Sequence, residues 1–202
     1  MSTVTAVKKN GYIAIAADSL VSVGPMKMSA TYNKTCQKIL QVGDSYLGLT
    51  GWMVSVQVLD SLFRLAGTPP RLSSPSEIFE VFRVVHVRLR DEYFMNPRTD
   101  ASDAYEMTQL NVLIANPHGI FTVGGYRTVS EYDRFWATGS GTEYALGAMH
   151  ALYDKSDDVV AIAEAGVRAA ADFDAATATP LESHLIRLAP ATVEEFDLPL
   201  HV

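Results

Sequence analysis

Residues 2–19 read Ser2-Thr3-Val4-Thr5-Ala6-Val7-Lys8-Lys9-Asn10-Gly11-Tyr12-Ile13-Ala14-Ile15-Ala16-Ala17-Asp18-Ser19, and their pattern sets the architecture of the chain. Two runs rich in strand-forming residues, 3–9 and 12–18, flank Asn10-Gly11. That dipeptide accepts the positive φ angles of a two-residue hairpin turn, so a β-hairpin is predicted from the first residues onward. The segment from Met1 to Lys9 alternates like a strand and lacks a long apolar run, so neither a signal peptide nor a membrane span is expected there.

Further along, a second hairpin is predicted where Lys38-Ile39-Leu40-Gln41-Val42 alternates, Gly43-Asp44-Ser45 turns and Tyr46-Leu47-Gly48-Leu49 returns. Val54, Val58, Leu62 and Leu65 recur at helical spacing over 52–66 before Gly67 and Pro69-Pro70 stop the pattern. Ser74-Pro75-Ser76-Glu77 offers a capping hydroxyl, a proline for the first helical position and a glutamate placed for a capping box. It heads a long amphipathic helix carrying Ile78, Phe79, Phe82, Val85 and Leu89 to about Tyr93. After a polar loop at 96–105, strands are predicted over 107–115, 120–123 and 134–137, with Asn116-Pro117-His118-Gly119 as a turn. Thr138-Gly139-Ser140-Gly141 leads into a helix over 143–153. Ser156-Asp157-Asp158 caps another over about 158–173, and 183–188 reads as a last strand. This order is α+β and can pack two sheets face to face between two helical layers.

The chain has 202 residues, 48% of them hydrophobic and 19% charged, enough for one sizeable core and read as a single domain over 1–202. Its formal charge of −7, with no basic cluster larger than Lys8-Lys9, argues against a nucleic-acid partner. The single cysteine, Cys36, rules out an internal disulfide framework, suits a reducing compartment and reads as a buried strand thiol, so a cytoplasmic location is expected. His86, His118, His150, His184 and His201 show no metal-ligand spacing, so neither a metal nor another cofactor is expected. Gly139-Ser140-Gly141 lacks the nucleophile-elbow pattern and no motif places a histidine beside it, which ranks a Ser/His/Asp triad low. Trp52, Phe79 and Phe82 read as core or contact surface.

Ser2 follows the initiator methionine, and its small side chain suits removal of Met1. A free α-amine titrates near ~8, against ~10 for lysine, so an N-terminal serine would carry nucleophile and base in one residue. Serine after methionine is common, and by itself this pattern is weak.

The run from Ser2 to Gly11, followed by Ile13-Ala14-Ile15-Ala16-Ala17-Asp18-Ser19, resembles the opening of proteasome β subunits and HslV, whose mature chains begin with threonine. The resemblance puts Ser2 on that threonine, Asp18 on the family's aspartate and Ser22 on its substrate-binding hydroxyl residue. Lys38, in Thr35-Cys36-Gln37-Lys38-Ile39-Leu40-Gln41-Val42, falls on its lysine. Lys34 is a rival, because the segment between Gly24 and Lys38 carries extra residues. Gly51 falls on the glycine that ends the hairpin, and Gly139-Ser140-Gly141 with Tyr144-Ala145 on its Gly-Ser-Gly before a helix. Ala163-Glu164 through Ala171-Asp172 and Thr177 are similar to the helix and loop behind the active site of HslV. The match spans roughly residues 2–180.

The resemblance implies the four-layer αββα sandwich of the N-terminal-nucleophile hydrolases and a set of roles. Ser2 is the nucleophile, Lys38 the cation that lowers the pKa values beside it, and Asp18 the carboxylate that orients the lysine. Gly51 offers its N–H to the oxyanion, Ser140 holds the amine, and Asp174 or Asp172 orients Ser140. It further implies a threonine-type peptidase, here with serine, acting on unfolded polypeptides inside homo-oligomeric stacked rings fed by an ATP-dependent unfoldase. A catalytically silent ring-forming scaffold and a small-molecule amidase are the other functions the fold supports.

Overall fold

Strands β1 (Thr3–Lys9) and β2 (Tyr12–Asp18) pair antiparallel, from Val4 opposite Ala17 to Lys9 opposite Tyr12. Asn10 and Gly11, at φ 50° and 80°, make the turn between them, the twist that suits a two-residue hairpin. The structure, a computed structural model, describes residues 2–97, 100 and 102–190. Met1, whose removal the N-terminal-nucleophile reading requires, and His201 lie outside the described residues.

A short hairpin, β3 (Val21–Val23) and β4 (Met26–Met28), comes next. Then come β5 (Ile39–Val42), β6 (Ser45–Thr50), helix α1 (Val54–Leu65) and helix α2 (Pro75–Asp91). Strands β7 (Asn111–Asn116), β8 (Gly119–Val123), β9 (Val129–Tyr132) and β10 (Phe135–Gly139) precede helices α3 (Thr142–Tyr153) and α4 (Val159–Phe173) and strand β11 (Leu181–Arg187). One sheet has the order β10-β1-β2-β11 and the other β5-β6-β7-β8-β9.

The period-2 alternation of each strand determines what packs where. From the first sheet Val4, Ala6, Ile13, Ile15 and Ala17 meet Ile39, Leu113, Ala115 and Ile120 of the second, forming the layer between the sheets. The opposite faces are covered separately. Val7, Ala14 and Ala16 pack under α3 and α4 with Met149, Ile162 and Val167. Leu47, Val112, Ile114 and Phe121 pack under α1 and α2 with Leu59, Phe82 and Val85. The result is the expected αββα sandwich. Because β2 is an interior strand buried on both faces, residues 13–17 form a continuous apolar run instead of alternating with polar side chains.

Several boundaries differ from the sequence reading for local reasons. The β5–β6 turn takes only Gly43 and Asp44, with Ser45 already paired to Val42. Strand β7 starts at Asn111 rather than 107, because Thr108 donates its N–H to the Gly125 carbonyl in the loop after β8. Ser74 caps α2 by accepting the Glu77 N–H, while the Glu77 carboxylate reaches back to the Ser73 N–H, one residue before the cap. Strand β9 is an edge strand with half its residues polar, and β3 and β4 are three residues each, so none of them carries a readable period.

Candidate active site

The register brings one end of both sheets together. Thr3 lies opposite Gly139 and Leu181 opposite Asp18, while β6 ends and β5 begins beside them. Ser2 precedes β1 at this end and is buried.

Asp18, the last residue of β2, is buried and fully engaged. Its Oδ1 accepts the Thr3 N–H at 2.9 Å, and its Oδ2 accepts those of Leu20 at 3.0 Å and Ala178 at 3.3 Å. Lys38 Nζ lies 2.7 Å from the same Oδ2. Lys38 immediately precedes β5 and is buried. Burial pushes the Lys38 ammonium below the usual lysine range, outweighing the opposing pull of Asp18. Lys34, the rival from sequence, is exposed.

The second group is built around Ser140, between β10 and α3. Its N–H donates to the Ser2 carbonyl at 2.9 Å, and its hydroxyl donates to Asp174 Oδ2 at 2.6 Å. This close approach requires Gly139. Its φ is 106°, and a Cβ there would fall on the Ser2 carbonyl. Ser140 does not cap α3; Gly141 occupies that position, and the Thr142 hydroxyl bonds the Gly139 carbonyl instead.

Asp174 ends α4 in an extended conformation and turns back toward the site. Burial alone would raise the pKa of its carboxyl. Hydrogen bonds from Ser140, Thr177 and the Ala176 N–H outweigh that and hold it below the usual carboxylate range. Asp172 is exposed, so Asp174 is the carboxylate that meets Ser140.

Beside this cluster, Ser22 and Gly51 line one cleft of about 820 Å³ whose walls include Leu20, Val21, Trp52 and Val54. Gly51 has φ 105°, and a Cβ placed on it would meet nothing within 4 Å. The position is therefore open to the cleft, but its backbone favours glycine.

Sequence reasoning missed the Thr3 hydroxyl, which lies 2.7 Å from that of Thr177. A readable signal existed: Thr3 and Thr5 alternate with Val4 and Ala6, which puts two hydroxyls on the helix-facing side of a buried strand.

The histidines sit elsewhere. His86 bonds Thr108 and Glu106, His184 stacks on Tyr46 and bonds Glu182, and His118 and His150 are exposed. Among the described residues, no group of three or more His, Cys, Asp or Glu could hold a metal ion. No helix among them is long and apolar enough to cross a membrane.

Two sheets face to face between helical layers, with the second residue of the chain held at their shared end, define the fold of the N-terminal-nucleophile hydrolases. Known structures agree. The chain is 43% identical to Thiobacillus denitrificans BPH at a TM-score of 0.89, covering 94% of this chain and 100% of that one. Against the same protein in complex with epoxomicin the figures are 42%, 0.87, 93% and 100%. It is 21% identical to eukaryotic HslV from Trypanosoma brucei at a TM-score of 0.62, a likeness of fold, over 92% of this chain and 99% of that one. A curated proteasome subunit beta of Nanoarchaeum equitans is 24% identical over 200 residues, 92% of this chain and 93% of its own length. No protein-family model matches the chain. The chain belongs to the proteasome β-subunit/HslV family.

Proposed function

We propose that this protein is a peptidase that cuts unfolded polypeptides with Ser2 as an N-terminal nucleophile after removal of Met1. The observation that carries this reading is the Asp18 carboxylate, which holds the Ser2–Thr3 peptide N–H on one oxygen and the Lys38 ammonium beside the other.

In this reading the α-amine of Ser2 takes the proton of its own hydroxyl, and Oγ attacks the carbonyl carbon of the scissile amide. The Lys38 cation favours the deprotonated forms of both groups through its charge, while Asp18 keeps it in place. The oxyanion forms on the cleft side at Gly51, where no side chain intervenes, and Ser22 and the apolar walls hold the extended substrate. When the C–N bond breaks, the amine product leaves with the proton held by the α-amine, and Oγ keeps the acyl group as an ester. Water attacks that ester with the α-amine again as base, releasing the acid and restoring Ser2. Ser140, tied to Asp174, positions the backbone that carries the nucleophile.

The rest of the reading comes from the family: homo-oligomeric stacked rings with the sites facing a chamber, an ATP-dependent unfoldase as partner, and a cytoplasmic location. The complex of the T. denitrificans relative with epoxomicin makes that compound the first probe to use.

The test is intact mass of the purified chain, with and without epoxomicin, beside Ser2→Ala. A chain starting at Ser2 that hydrolyses peptides and gains the mass of epoxomicin, both lost in a folded Ser2→Ala protein, is the expected result. Full activity in Ser2→Ala would eliminate Ser2 as nucleophile. A chain that keeps Met1 and binds nothing would instead identify a silent scaffold.

A further inference from the structure

Thr3 joins the two carboxylates of the site. Its main-chain N–H donates to Asp18 Oδ1 at 2.9 Å. Its hydroxyl lies 2.7 Å from that of Thr177, which in turn lies 2.7 Å from Asp174 Oδ2. Both threonines are buried, with exposures of 0% and 2%, so water does not compete for these bonds.

The direction of each bond is found by elimination. Asp174 is ionised and accepts only, so Ser140 and Thr177 each give it their single hydroxyl proton. Thr177 then has no proton left for Thr3, and its oxygen must accept the one that Thr3 donates. The chain of donation therefore runs from Thr3 through Thr177 to Asp174, where the same Oδ2 also receives Ser140. Each bond polarises the next, and in a buried setting an unpaired member is costly.

We propose that Thr3 is a positioning residue: its hydroxyl orients Thr177 and, through it, holds Asp174 against Ser140, while its amide holds Asp18. The residue next to the nucleophile thus links the Lys38 side of the site to the Ser140 side. A methyl group cannot occupy a 2.7 Å contact with a hydroxyl oxygen. Thr3→Val therefore pushes Thr177 away at nearly constant side-chain volume, whereas Thr3→Ser keeps the donor. The inference rests on the peptidase reading for its catalytic consequence alone.

The experiment compares wild type, Thr3→Val and Thr3→Ser as full-length proteins whose masses show that they begin at Ser2. Two readouts are taken: the pH titration of the Asp174 carboxyl carbon by NMR, and kcat and KM for a fluorogenic peptide. In Thr3→Val the Asp174 titration moves upward and kcat falls roughly 10- to 100-fold, with KM within about twofold of wild type. Thr3→Ser restores both. An Asp174 titration unmoved in a folded Thr3→Val protein overturns the positioning role, whether or not the chain cleaves peptides. An upward shift in Thr3→Val, beside a wild type that hydrolyses nothing, would support the positioning role and reject the peptidase reading, so the two failures are separable.

Discussion

Lys38 and Asp18 form an ion pair of 2.7 Å in which neither side chain is more than 1% exposed. No acceptor other than Asp18 serves the Lys38 ammonium among the described residues. Asp18, by contrast, is held by three backbone N–H groups. The carboxylate is therefore the fixed member of the pair, and the lysine is the member whose charge is poorly supported.

Removing one partner strands the other. Asp18→Asn leaves a buried ammonium without its counter-charge and should cost about 3–5 kcal/mol in urea unfolding. Lys38→Met should cost less, since the backbone donors still serve Asp18. The double variant should lie above Asp18→Asn in stability, and a double variant that simply sums the two losses would contradict the coupling. Both single variants should lose peptide hydrolysis.

Lys38 also sets an alkaline pH dependence. Its folded pKa lies below its ordinary 10.5, so between the two values the unfolded chain binds a proton that the folded chain does not. Stability contributed by this group therefore rises with pH through that window and levels off above 10.5. Urea midpoints measured across the window should show the rise in wild type and lose it in Lys38→Met.

Asp174 acts on the acid side with the opposite limits. Its folded pKa lies below 3.8, so its contribution is present above 3.8 and is lost as pH falls through the folded value. Thermal melts on the acid side should show Asp174→Asn losing stability less steeply than wild type. Equal slopes would mean that the hydrogen bonds from Ser140 and Thr177 do not favour the ionised form.

Two glycines with almost the same φ should respond differently. Gly139→Ala adds a Cβ that collides with the Ser2 carbonyl, and Gly51→Ala adds one that meets open space. Backbone strain alone should cost roughly 1–3 kcal/mol at either position. Gly139→Ala should exceed that range and disrupt folding of this end of the sheet. Gly51→Ala should stay within it while losing hydrolysis. Equal stability losses would contradict the steric distinction.

Far from this cluster, Thr108 gives an internal control. Its hydroxyl lies 2.7 Å from His86 Nδ1 and accepts from Arg127 at 3.0 Å, so it ties two side chains together. Thr108→Val should destabilise by about 1–3 kcal/mol through unpaired buried groups. Peptide hydrolysis by the folded fraction should be unchanged.

Much of the layer order could be read from short-range pattern. Asn10-Gly11 marks the first hairpin, Ser74-Pro75 the start of α2 and Asp158 the cap of α4, because turns and caps are local hydrogen-bonding events. Strands β3, β4 and β9 escaped because they are short or lie at an edge, where no alternation develops. The Thr3–Thr177 contact escaped for another reason: a hydroxyl carries no sign of its partner until the chain folds.

Residue order alone placed Ser2, Asp18 and Lys38 at the ends of predicted strands and Ser140 at the opening of a helix. It left Lys38 beside Lys34 and Asp174 beside Asp172. Folding in three dimensions separated these, by burying Lys38 at Asp18 and turning Asp174 from the end of α4 onto Ser140. Periodicity reports which face of an element is buried, whereas desolvation and charge pairing depend on how closely two distant elements approach. That distance is set by the packing of the sheets and by the missing side chain of Gly139.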